Sequence, residues 1–244
     1  CNCPLPPETT IYRYVDPAGS DTANNCINAN APCKTITHAI AQAVAGDTLL
    51  LSSGTFNEHD IVVAKNLYIY GQGAGVSIVD AGQFGRVFLV NTDINASFCG
   101  ITVTGGKLGV GQFGGGINSF GNTTITSSTI SGNFSPNAGG GIFISSGSTK
   151  INISTISGNT SLSGGGIYIF GGSMMISNST ISGNSSPNSL GGGIRVSNSS
   201  ATISNSTISG NTSFSGSGIY IFGGSTKISN STITNNSSSN GGSL

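Results

Sequence analysis

The stretch GGGIYIFGGSMMISNSTISGN, residues 164–184, decides the fold, because the chain writes close variants of it five times. The variants open at Gly114, Gly139, Gly164, Gly191 and Gly216, at steps of 25, 25, 27 and 25 residues. A fixed period in this range marks a solenoid, in which each repeat is one unit stacked on the last. Aligned, the isoleucines fall into three columns: 117, 142, 167, 194 and 219; 125, 151, 176, 203 and 228; and 130, 156, 181, 208 and 233. Each isoleucine is flanked by small or polar residues, the period-two pattern of a half-buried strand, and β-branched residues suit that pleated geometry. Three columns predict three short strands per turn of about 25 residues, stacked in register about 4.8 Å apart as a parallel β-helix. Glycine and asparagine mark the corners. Two asparagine columns, Asn133, Asn159, Asn184, Asn211, Asn236 and Asn178, Asn205, Asn230, read as amide ladders along the axis.

Working outward, the chain has 244 residues, 39 glycines, no tryptophan, and eight basic against eight acidic side chains. Net neutrality gives no electrostatic attraction to nucleic acid or anionic lipid. No apolar run has the length of a membrane span. Cys26 and Cys33 flank a short polar loop and are expected to bridge; metal binding is the competing reading, and it lacks a CxxC motif. A bridge implies an oxidising compartment and so export. Cys1, Cys3 and Cys99 remain, with Cys1 or Cys3 reaching Cys99 or a neighbouring molecule; all three are candidates for intermolecular bridges.

Four segments follow. Residues 1–15 form an N-terminal arm and a first strand, Thr9–Val15, available for donation to another copy. Residues 16–46 hold the disulfide loop and a helix over 35–45, capped by Thr35 and Gly46, whose Ile36, Ala39, Ile40, Ala43 and Val44 stripe covers the first turn. Residues 47–113 carry less regular turns, with strand-like runs at 49–51, 61–63, 67–70, 87–90 and 101–103. Residues 114–244 carry the strict repeats.

Over 9–244 the chain resembles the pectin-lyase-like right-handed parallel β-helix proteins. Its Gly114-Gly115-Gly116-Ile117 and Ile130-Ser131-Gly132-Asn133, with their successors, are similar to the Gly-Gly-Ala-Ile/Leu and Phe-x-x-Asn motifs of polymorphic outer membrane proteins, with Gly for Ala and Ile for Phe. The resemblance implies right-handedness and a secreted or cell-surface protein, often adhesive. It implies no particular activity, because the fold hosts lyases, hydrolases, adhesins and scaffolds.

Polysaccharide-cleaving members of that fold need carboxylates. The acidic residues here are Glu8, Asp16, Asp21, Asp47, Glu58, Asp60, Asp80 and Asp93, and none follows residue 93. The residual cluster is Glu58, His59 and Asp60 with Arg86 and Asp80, which also reads as a solvated turn. The expectation is a protein that is not an enzyme, with no catalytic, cofactor or metal residues. Two outward surfaces stand out. Thr129/Ser131, Thr155/Ser157, Thr180/Ser182, Thr207/Ser209 and Thr232/Thr234 bracket inward isoleucines in a hydroxyl array similar to those of ice-binding β-solenoids, although outward threonine also simply suits strands. Phe120, Phe143, Tyr168, Phe170, Tyr220 and Phe222 form an exposed aromatic stripe broken by Arg195, a contact surface for a protein or for sugars. The Asn-x-Ser/Thr sequences, as at Asn122, Asn159, Asn205 and Asn230, follow from the repeat itself.

The end of the sequence, 241–244, aligns with the start of another repeat, so Leu244 would present an open sheet edge. Ile11 and Val15 of a second copy suit that edge by strand addition, and head-to-tail addition yields a filament. A truncated longer chain and a lipid anchor at Cys1 are the other readings of the two ends. The sequence thus points to an all-β right-handed parallel β-helix with a short N-terminal capping helix. The expected role is that of a secreted, self-associating fibre subunit whose partner is itself. A carbohydrate-binding adhesin is the alternative, and a polysaccharide lyase stands third.

Overall fold

The computed structural model describes Cys3 and residues 10–240. Within them the chain is a right-handed parallel β-solenoid of about seven turns, with about 26 residues per turn. The isoleucine columns pair as aligned: Ile117 with Ile142, Ile167, Ile194 and Ile219; Ile125 with Ile151, Ile176, Ile203 and Ile228; Ile130 with Ile156, Ile181, Ile208 and Ile233. From Ile117 to Ile208 every member is buried.

A regular turn has four strands, not three. In the turn that opens at Ile142 they are Ile142–Ile144 on a first face, Ser148–Asn152 on a second, Thr155–Ser157 on a third and Thr160–Ser163 on a fourth. The fourth strand escapes a hydrophobic pattern because its inward residues are serines. Ser135, Ser161, Ser186 and Ser213 are buried, and all four donate to backbone carbonyls. The first two faces merge where Ile194–Ser204 and Ile219–Ser229 run straight through the corner between them, so they form one 14-stranded sheet.

The glycine triplet has a steric reason. A Cβ on its first member would meet the backbone or Cβ three or four residues on, at 2.5 Å for Gly139 against the Ile142 carbonyl, and that glycine has φ near +64°. A Cβ on the third member, Gly141, would press to 2.7 Å on the Gly166 carbonyl and to 2.9 Å on the Asn159 amide. Glycine there makes room for the asparagine ladder. Asn133, Asn159, Asn184 and Asn211 are each buried, and each Nδ2 donates to Oδ1 of the next at 2.9–3.0 Å. Each Oδ1 from Asn159 to Asn236 also accepts the backbone N–H of the preceding ladder residue.

The second asparagine column is not a ladder. Asn178, Asn205 and Asn230 are exposed and supply φ of 47–50° at a sharp corner, which asparagine tolerates better than other side chains. The ladder at that corner belongs to the following serines. Ser154, Ser179, Ser206 and Ser231 each accept the N–H of the serine one turn before, and each donates to the carbonyl two residues back.

Towards the N-terminus the same columns continue with bulkier residues. Ile61 and Phe88 precede Ile117, Ile69 and Phe98 precede Ile125, and Phe56, Val79 and Val103 precede Ile130. Strands Gly54–Asn57, Ser77–Asp80 and Asn95–Cys99 carry part of this core and add to the runs read from sequence. The helix is shorter than the sequence pattern predicts, Ile36–Gln42. Thr35 accepts from the His38 amide at its start, and Ala43, not Gly46, closes it. Ile36, Ala39, Ile40 and Ala43 join the core, whereas Val44 lies beyond the helix and is exposed.

The first strand is spent inside its own chain. Tyr12–Val15 pairs with Thr48–Leu51, Val15 is buried, and the loop between Cys26 and Cys33 bonds to the other side of Tyr14. This corrects the expectation that Ile11 and Val15 are available as a donor strand. Cys26 bridges Cys33, and Cys3 bridges Cys99, which sits on the outside of the second face. Cys3 and Cys99 are therefore intramolecular partners, not intermolecular ones. Cys1 and Leu244 lie outside the described residues.

Candidate ligand-binding surface

Among the described residues the fold occupies the carboxylates of Asp16, Asp21, Asp47, Glu58, Asp60 and Asp80, whereas Asp93 lies exposed at a turn. Glu58 takes the amides of Ile36 and Thr37 at 2.7 and 2.9 Å and so caps the helix. Asp47 pairs with buried Arg13 at 2.8 Å and accepts the Val44 amide. Asp80 accepts the Gly82 amide and Asp16 the Ala18 amide. Asp60 lies 2.9 Å from the His59 ring and takes the Arg86 amide. The Arg86 side chain turns away to the carbonyls of Phe113 and Gly114; burial lowers its guanidinium from the usual value, against the pull of Asp60. Glu58, Asp60, Asp80 and Arg86 thus bond to backbone, whereas the exposed His59 ring bonds to Asp60. Cys26, Cys33 and His38 come within ligand distance of one another, but both sulfurs are used by the disulfide.

The aromatic stripe divides in two. Phe143, Tyr168, Arg195 and Tyr220 share an outward column on the first face, each over the first glycine of its triplet. They pack on one another. Phe113 stacks on Phe143 at 4.8 Å, and the Arg195 guanidinium lies 5.0 Å from the Tyr168 ring and 5.8 Å from that of Tyr220. Arg195 also donates to the Ser163 hydroxyl. Phe143 is buried, so this column is chiefly structural.

Phe120, Phe170 and Phe222 behave differently. They lie at the corner between the first and second faces and are 37, 57 and 58% exposed. Their column follows from the pairing of 119, 144, 169, 196 and 221, so its five members are Phe120, Ser145, Phe170, Ser197 and Phe222.

The same corner carries an exposed asparagine row that the repeat alignment misses, because it begins in the irregular turns. Asn66 accepts from the Asn95 amide at 2.8 Å, Asn95 from Asn122 Nδ2 at 3.0 Å, and Asn122 from the Ser148 amide at 2.9 Å. These three asparagines, with Tyr68, Ser97 and Thr124 of the second face, line a groove of about 610 Å³, and none of its ten lining residues is charged. Asn122 stands two residues from Phe120, so the groove adjoins the phenylalanine row. Separate exposed apolar side chains, Phe134, Leu162 and Phe214, lie on the fourth face, with Phe134 opposite Thr160 and so off the column of the other two. The hydroxyl pairs of the third face point outward in register, as far back as Thr102 and Thr104.

Residues 108–243 match the model of the right handed β-helix region. The chain is a right-handed β-helix protein. No curated protein matches this β-helix protein. Its fold is similar to solved structures of pectin-acting enzymes. One is a pectate lyase, Pel9A, with a TM-score of 0.55 at 17% identity, covering 84% of this chain and 64% of that one. A second is a pectin methylesterase in complex with a hexasaccharide, with a TM-score of 0.56 at 12% identity, covering 88% and 82%. A third is the pectin methylesterase PemA from Erwinia chrysanthemi, with a TM-score of 0.53 at 11% identity, covering 88% and 81%. The β-helix protein thus spans less than two thirds of the pectate lyase. At these identities the likeness is one of fold. The finer likeness to polymorphic outer membrane protein repeats does not emerge from these matches. Among the described residues no helix is long and apolar enough to cross a membrane.

Proposed function

We propose that this β-helix protein is exported, non-catalytic and binds polysaccharide along the corner between its first and second faces. One observation carries the reading: an uncharged groove with amides, hydroxyls and Tyr68 adjoins a row of exposed phenylalanine rings. Flat apolar rings beside neutral hydrogen-bonding groups suit sugars, which present C–H faces and hydroxyl edges. The solved pectin-acting neighbours lend the general expectation of a polysaccharide ligand by fold analogy alone. The two disulfides support export, because such bonds persist in oxidising compartments. Absence of catalysis rests on carboxylates, the exposed Asp93 apart, that are already engaged by backbone amides, in the helix cap and elsewhere.

Native affinity electrophoresis in gels containing a panel of polysaccharides tests the reading. The protein is expected to be retarded by at least one, with retardation lost in Phe170→Ala/Phe222→Ala and kept in Thr180→Ala/Thr207→Ala on the third face. Equal retardation of all three proteins, or none by any polysaccharide, sinks it. Release of reducing or unsaturated ends from pectin would overturn the non-catalytic part.

A second reading is head-to-tail self-association. Ile221 and Ile228 continue inward columns yet are 49 and 41% exposed, an apolar end on which a second copy or further turns of chain would stack. Sedimentation velocity of the protein and of Ile228→Asp separates the readings, since this change removes assembly and leaves gel retardation intact.

A further inference from the structure

We infer that the ligand is a neutral, extended β-1,4-linked glycan, read by phenylalanine rings at every second turn; the inference rests on the polysaccharide-binding reading above. The column alternates strictly: Phe120, Ser145, Phe170, Ser197, Phe222. Stacked parallel strands lie about 4.8 Å apart, so successive rings stand about 9.6 Å apart along the axis. In an extended β-1,4-linked chain each sugar is turned over relative to its neighbour, so one sugar face recurs only every second residue. Two such sugars advance by about the same two-strand distance. Each ring then meets an identical sugar face, and the sugar turned the other way meets no ring at the partly exposed Ser145 or the buried Ser197. An α-1,4-linked chain twists away from a two-sugar repeat and would fall out of step with the rings.

Charge selects in the same direction. An acidic glycan calls for arginine or lysine beside its carboxylates. None lines the groove, and the exposed Lys150 and Lys227 stand beyond it, one and four turns past Thr124 on the same outward column. Arg195, in the neighbouring outward column, is engaged by Tyr168, Tyr220 and Ser163.

Isothermal titration with cellohexaose and cellobiose, alongside gels containing polygalacturonate or amylose, tests the inference. Cellohexaose, long enough to span more than one ring interval, is expected to bind at least about tenfold more tightly than cellobiose, with about tenfold lost in Phe170→Ala. The decisive variant is Ser145→Phe/Phe170→Ser. It keeps the number of rings but moves one by a single turn, and it is expected to lose the preference for cellohexaose. Its fold is checked by circular dichroism, and Phe222→Ala replaces it should it not fold. Undiminished cellohexaose binding by whichever variant is used overturns the inference. Phe170-dependent retardation by polygalacturonate or amylose, without cellohexaose binding, overturns it while leaving the polysaccharide reading intact. No binding to any of these or to the wider panel removes both.

Discussion

The turns before residue 114 and those after it are two solutions to one problem, holding stacked strands in register. The later turns repeat one solution. Isoleucine lies on isoleucine, and the Asn133–Asn236 row and the Ser128–Ser231 row bind each turn to the next. The earlier turns have neither row at full length. They rely on single devices: the Phe88–Phe98 contact, the buried Arg13–Asp47 pair, a capping helix and two disulfides. A periodic stack divides its stability into nearest-neighbour increments. An irregular one concentrates it in a few residues whose loss is not shared.

That contrast is open to attack at several strengths. The largest effect is expected from Cys3→Ser/Cys99→Ser. The bond closes a loop of sequence separation 96, for which chain entropy allows about 4–5 kcal/mol, against about 2.5 kcal/mol for Cys26→Ser/Cys33→Ser at a separation of 7. Denaturant unfolding of both variants measures the order, and an equal loss would show that loop length is not what matters. Next, Phe98→Ala removes a fully buried ring of the irregular core and should cost about 3–5 kcal/mol, more than Ile156→Val at about 1 kcal/mol in the regular core.

Between the two asparagine columns the difference should be plain. Asn184→Ala leaves the Asn159 side-chain amide and backbone N–H and the Ile156 carbonyl without their partners, a loss of about 3 kcal/mol. Asn178→Ala loses a corner residue suited to positive φ and one exposed hydrogen bond to Asn152, about 1 kcal/mol, and Asn178→Gly, which keeps the backbone freedom, should cost less. Thermal unfolding of the three variants checks this. If Asn178→Ala matched Asn184→Ala, the second column would be a ladder after all.

The smallest effect is acid sensitivity confined to the irregular end. Burial pushes the Asp21 carboxyl up, but the Thr35 hydroxyl and the Thr35 and Lys34 amides outweigh it and hold the group below its ordinary value. A depressed carboxyl stabilises the fold above its unfolded value, about 3.9, and that contribution is lost as pH falls through the lower folded value. Hydrogen exchange, corrected for intrinsic rates, should show residues 10–46 loosening below about pH 4 while 114–240, which hold no carboxylate side chain, do not. Asp21→Asn should flatten that dependence. Uniform loosening of both regions would remove the distinction.

The strict repeats were legible because their period is written in side chains that recur in one column. What stayed hidden had no hydrophobic signature. The fourth strand turns buried serines inward, and the serine ladder sits beside more conspicuous asparagines. The groove joins Asn66, Asn95 and Asn122, of which only the last belongs to the strict repeat. Phe143 and Phe170 looked alike as outward rings, yet one is covered by Phe113 and the other stands in solvent.

By itself the sequence determined the stacking: the parallel register, the three isoleucine columns, the buried asparagine row and the Cys26–Cys33 bridge. Short-range alternation and a constant period suffice for these, because each turn needs to match only its neighbours. Tertiary structure alone decided the partner of Cys3, the internal use of Tyr12–Val15 and which aromatic rings face water. Each depends on where a loop or arm of no fixed period comes to rest, and that is settled by packing over the whole rod.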